Sequence, residues 1–253
     1  MKRLALFVSA VFVLVASASC TIHRESIYEE ELRRIDQTLE HFEEYVRVKQ
    51  QKISTIENML NSRGVTPYQQ YHIYAQLYKE YQPFQFDKAK ETLDRQLDIA
   101  LEIGNDSLRF SVMLDKAMLL TTAGFYLEAE DVFARIDTLD LAPAQMIDWY
   151  NARQKFLHDY QEYVSTSSIN VPDAEKITRY QDCILRNTPE DLPVNRYIRI
   201  LRIIEDEDFE KAYFENLNFI ESLDKDSRDY AVQTYWQGYI CENLERPDRK
   251  SVV

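Results

Sequence analysis

Residues 114–137 read LDKAMLLTTAGFYLEAEDVFARID, and their apolar and small positions predict two antiparallel helices joined by a tight turn. Ala117 and Ala129 have side chains small enough to let two helix backbones approach closely. Gly124 falls where the chain must reverse, the place where a residue without a Cβ is cheapest. Leu120, Tyr126 and Phe133 then fill the space between the helices. Pro143 closes the unit, since proline cannot continue a helix but fits its first turn.

Ala117, Leu120, Gly124, Tyr126, Ala129 and Phe133 stand at the spacing of a tetratricopeptide repeat. The same register laid on residues 68–103 puts Phe86 on the aromatic position and Ala89 on the small one, with Pro83 and Phe84 replacing the turn glycine. Residues 195–223 repeat it with Phe209 and Ala212, and a further copy opens at Ser227 with Trp236 and Gly238 and extends through its first helix. Between these copies, residues 142–163 and 173–187 form an irregular helix pair joined by the polar stretch 165–172. The fold class expected over residues 67–247 is therefore all-α, a tetratricopeptide-like α-solenoid of antiparallel helix pairs.

Upstream, residues 24–62 contain no Gly or Pro and predict one long amphipathic helix, ended by Gly64, with Pro67 in the first turn of the next. Leu32, Ile35, Leu39, Phe42, Val46, Ile53, Ile56 and Leu60 alternate by three and four, broken only by Lys49. That heptad pattern fits two readings: a coiled-coil homodimer, or a seam laid on the first helices of the same chain.

Residues 1–20 place Lys2 and Arg3 before an apolar run from Leu4 to Ala16 and then small residues, the order of a secretory signal. Ala16 and Ala18 suit cleavage after Ala18. Cys20 leaves two further readings open, lipidation of that cysteine or an uncleaved anchor. All three predict an exported, periplasmic body. Losing Lys2 and Arg3 with the leader would take the net charge from −13 to −15. So acidic a body excludes nucleic acid as a partner of this region. An oxidising compartment permits a bridge between Cys183 and Cys241, although two cysteines isolated on helices read better as separate small apolar residues. At the other end, residues 248–253, DRKSVV, match the translation of a sequencing adapter, so the native frame is expected to differ beyond Pro247.

Four glycines in 253 residues leave no material for a phosphate-cradling loop or a nucleophile elbow. His23, His41, His72 and His158 are scattered and never at ligand spacing. Asp182 beside Cys183 opposes thiolate formation. The run Glu205-Asp206-Glu207-Asp208 reads as a solvated turn that starts the next helix with favourable negative charge. The expectation is a protein without catalysis, metal or cofactor, whose partner is a protein or peptide. Its candidate site is the row Tyr71, Tyr74, Tyr78 and Tyr81, whose steps of three and four place four phenols on one helix face. Such a row packs into a core or stacks a peptide or glycan in a groove.

Residues 32–53 (LRRIDQTLEHFEEYVRVKQQKI), the tyrosine-rich stretch 71–81 and the phrase YQPFQFDKA at 81–89 resemble the amino-terminal half of a Bacteroidetes-type family of tetratricopeptide-bearing membrane proteins. The resemblance covers most of residues 25–245. It implies periplasmic repeats followed by a transmembrane helix and a cytoplasmic coiled-coil and DNA-binding segment, that is, a one-piece sensor and transcriptional regulator. On that reading a membrane helix beyond the repeats, or a lipid, supplies the tether.

Overall fold

The computed structural model describes residues 32, 33, 36–164, 174–225 and 227–244. The leader at 1–20 with Cys20, the polar stretch 165–172 and the segment 248–253 lie outside them. Every described element is helical: ten α-helices and one short 3-10 turn. None of these helices is long and apolar enough to cross a membrane. The chain divides into two compact units, residues 49–206 and residues 1–48 with 207–253.

Helix α1 (Phe42–Leu60) is preceded by helical residues 36–40. His41 is a turn residue, yet its amide donates to the Gln37 carbonyl at 3.2 Å and its carbonyl accepts from Tyr45 at 3.1 Å, so the helical bonding runs through it. Gly64 leaves the helix at φ +81°. Thr66 then caps α2 (Pro67–Tyr81) in a reciprocal box with Gln69, and Pro67 occupies the first turn.

Within residues 49–206, α2 packs antiparallel on α3 (Phe86–Ile103), α4 (Asp106–Thr122) on α5 (Tyr126–Phe133), and α6 (Pro143–Val164) on α7 (Ala174–Asn187). α8 (Pro193–Glu205) packs on α7, while α3 and α6 both lie against α4, so successive pairs stack. Ala89, Ala117 and Ala129 are completely buried where paired helices touch. The aromatic positions bracket them: Phe133 is buried, and Tyr126 packs edge-on to Phe156 at 6.1 Å.

Turns follow local chemistry. Gly124 carries the left-handed φ of +80° between α4 and α5. The turn from α2 to α3 needs no such residue: Gln85 and Phe84 both donate to the Tyr81 carbonyl, at 2.7 and 2.9 Å, which tightens the helix end without a glycine. This explains why Pro83 and Phe84 are tolerated there.

In the second unit, α9 (Phe209–Glu221) packs on α10 (Arg228–Asn243). Asp208 caps α9 through the Lys211 amide, at 3.2 Å, and Glu207 before it takes φ +59°. Ala212 is fully buried. Asn216 is too, and its Nδ2 donates at 2.9 Å to both the Gln233 carbonyl and Gln237 Oε1. Gly238 differs from the buried framework alanines, since a Cβ there would meet nothing within 4 Å. Neither Cys183 nor Cys241 is in a disulfide.

Candidate functional site on the first helices of the repeats

Three tyrosines of α2 are buried, each with its hydroxyl reaching a neighbouring helix. Tyr71 donates to the Leu108 carbonyl at 3.2 Å and Tyr78 to the Asp115 carbonyl at 3.5 Å, both on α4 and both 37 residues ahead. A constant offset means that α2 and α4 run parallel in fixed register. Tyr81 donates instead to Glu57 Oε1 on α1 at 2.8 Å. Burial, helped by the Asp115 charge, pushes the Tyr71 phenol up to about 12, and burial with the Glu57 bond does the same to Tyr81. Both therefore stay protonated donors at neutral pH. Tyr74 is half-buried against the same core. The row thus joins the first repeat to α1 and α4, and Tyr74 retains more open ring surface than Tyr71, Tyr78 or Tyr81.

Where that row meets α4, a charged patch begins. Asp115 on α4 keeps an open flank, yet protein crowds its carboxylate, and burial first and the Asp148 charge second raise its pKa to about 6, against the pull of Lys79. Asp148, on α6, is raised as well, by burial. Lys79, Asp115 and Asp148 come from α2, α4 and α6, the first helices of three successive pairs, so the patch runs across the stack. Gln145, one turn before Asp148, fixes the α4–α6 junction by donating to the Ser107 carbonyl at 2.7 Å and to Ser111 Oγ at 3.0 Å.

A second charged group lies further along α6. Asp159 on α6 pairs with Lys155 at 2.6 Å and lies 3.7 Å from His158. Its bond to Asp159 raises the His158 pKa against the opposing effect of burial, and the charges of Glu162 and Glu205 add to it. Tyr126 donates to the Asp159 carbonyl at 3.3 Å, which ties α5, the second helix of its pair, to the first helix of the next.

Chemically, this face offers two carboxyls with raised pKa values, the partly open Tyr74 phenol and Lys79, a set that hydrogen-bonds amides and hydroxyls and pairs with cations. The four tyrosines were legible in the sequence, whereas Asp115 and Asp148 were missed. No sequence signal marked them, because the closeness of Asp115 to Asp148 and Lys79 depends on how successive helix pairs seat on one another. Among the described residues no cluster of His, Cys, Asp and Glu has the form of a metal site.

No protein of curated function matches the chain. The family model described as the SusR N-terminal TPR domain matches residues 39–252, a span that takes in α1 to α10 and most of the segment 248–253. TPR stands for the tetratricopeptide repeat, a scaffold fold that mediates protein interactions, and its helix-pair register is what Ala89, Ala117, Gly124, Ala129 and Ala212 maintain here. The stacked pairs, the buried alanines and a match over most of the length agree, and the chain belongs to the SusR N-terminal TPR domain family, an all-α solenoid of the tetratricopeptide type.

Proposed function

We propose that this chain is the periplasmic, partner- or ligand-binding part of a membrane-tethered transcriptional regulator, and that the first-helix face around Tyr74, Asp115 and Asp148 receives what it senses. The observation that carries the reading is the continuity of that face across three stacked pairs, which lets one bound segment bias how successive pairs pack. Membership of a family whose model is described by a regulator's amino-terminal domain supports the rest. Export rests on the leader-like residues 1–20.

The test is made on the genomic locus. Asp115→Asn with Asp148→Asn should abolish the transcriptional response of the genes that depend on this locus while leaving protein level and helicity unchanged. An unaltered response in the double variant, or no transcript that changes when residues 67–244 are deleted, overturns the proposal.

Cys20 directly after the small residues of the leader favours a second reading, a secreted or lipid-anchored tetratricopeptide scaffold for envelope proteins. Mass spectrometry of the amino-terminal peptide separates the two. A lipid on Cys20, together with the absence of any membrane-spanning continuation in the locus, selects the scaffold.

A further inference from the structure

The heptad seam of the amino-terminal helix is used in two ways along its length. Below Lys49 it is occupied within the chain: Ile53 and Ile56 are buried against the core that holds Tyr71 and Tyr78. Lys49 itself, at a seam position, is tied to Glu80 of α2 at 2.6 Å, and Lys52 binds the same carboxylate at 2.7 Å. Above Lys49 the seam is largely open: Leu32, Leu39 and Phe42 are 60%, 64% and 60% exposed and Val46 is half-buried, flanked by exposed Tyr45 and Val48. Ile35, on the same line, lies outside the described residues. Large apolar side chains left this bare at regular spacing mark an interaction surface.

We propose that residues 32–48 pair with the same residues of a second copy as a short parallel coiled coil. A partner for this stripe must repeat every seven residues over about 25 Å of helix, at a rise of about 1.5 Å per residue. A second copy meets that condition by construction, and its two-fold arrangement closes without leaving a free face. The flanking residues set the direction. With Leu32, Leu39 and Val46 in one seam column and Phe42 in the other, the flanks are Asp36 and Glu43 on one side and Thr38 and Tyr45 on the other. A parallel pair sets Thr38 against Glu43 of the second copy and Tyr45 against Gln50. An antiparallel pair brings Asp36 and Glu43 face to face in the middle of the seam, where like charges are least tolerated. Lys49, held by Glu80, ends the intermolecular zipper and hands the helix back to its own chain. This association is independent of what the repeats bind.

The experiment uses the exported full chain carrying Cys20→Ser, so that no lipid intervenes, in sedimentation equilibrium up to about 100 μM, a range that captures micromolar dissociation constants. The expected result is a monomer–dimer equilibrium that tightens as salt rises, because screening relieves repulsion between two strongly acidic chains. Phe42→Glu should weaken it by about a hundredfold or more, since it places a charge in a dry seam layer of each helix. Gln37→Glu adds the same charge on the outward face and should leave the dimer intact. Should Phe42→Glu lose helicity, Phe42→Cys decides: a parallel pair in register forms a disulfide between the two copies at position 42, which the Cys20→Ser chain alone does not. A chain that stays monomeric, a dimer indifferent to Phe42→Glu, or no disulfide at position 42 overturns the proposal.

Discussion

At the scale of single residues, the unusual groups are carboxylates facing other carboxylates. Asp115 and Asp148 stand on adjacent first helices of a chain that carries 43 acids. Holding Asp115 near 6 means that its charged form is disfavoured in the folded state, so its favourable contribution is complete below the ordinary carboxyl value of 3.8 and disappears as pH rises through about 6. Asp115→Asn is therefore expected to stabilise the protein at pH 8 and to change nothing at pH 3.5. Water on the open flank of Asp115 screens the effect, which limits the gain to about 1 kcal/mol. Carbon-13 titration of the side-chain carboxyls reports the cause directly: Asp148→Asn should lower the Asp115 pKa, and Lys79→Gln should raise it. An Asp115 that titrates near 3.8 in the native chain refutes both expectations.

At the scale of the element, two glycines separate backbone need from repeat pattern. Gly124 turns the chain at φ +80°, a conformation that costs a residue with a Cβ about 1–2 kcal/mol even where nothing crowds it, as here. Gly238 sits inside α10 with ordinary φ and open space around a would-be Cβ. Gly124→Ala should therefore destabilise by about 1 kcal/mol. Gly238→Ala should stabilise by a similar amount, through the higher helix propensity of alanine. Chemical denaturation of the two variants checks the pair, and equal signs would show that Gly238 is held by packing the repeat requires. The register of the helix pairs was readable because it rests on residue size. The 37-residue offset from Tyr71 to Leu108 and from Tyr78 to Asp115 was not, since it depends on how one pair seats on the next.

For the molecule as a whole, the ionisable groups pull in two directions. Glu80 (held by Lys49 and Lys52), Asp94 (by Lys116 and Lys90) and Asp159 (by His158 and Lys155) are lowered although burial opposes it. Their contribution exists above the ordinary carboxyl range and is lost as pH falls below it. Asp115 and Asp148 favour lower pH, and so does His158, whose raised pKa adds stability below its unfolded value that is lost as pH rises. The melting temperature should accordingly peak near pH 5 and decline by pH 8, where the excess of acid over base also repels itself. A melting temperature that still climbs from pH 5 to pH 8 contradicts this balance. Sequence alone determined the helices, the pairing of those between residues 67 and 187 and the repeat class, because small residues at fixed spacing permit one kind of close helix contact and glycine is too scarce for competing folds. Only the tertiary structure decided what the tyrosines and the seam do. Tyr71, Tyr78 and Tyr81 turned inward because α1 and α4 offer acceptors to their hydroxyls. The seam divided at Lys49 because one carboxylate, Glu80, lies within reach of it from another helix. Periodicity fixes which residues share a face, and what covers that face depends on contacts between segments far apart in the chain, which no local spacing encodes.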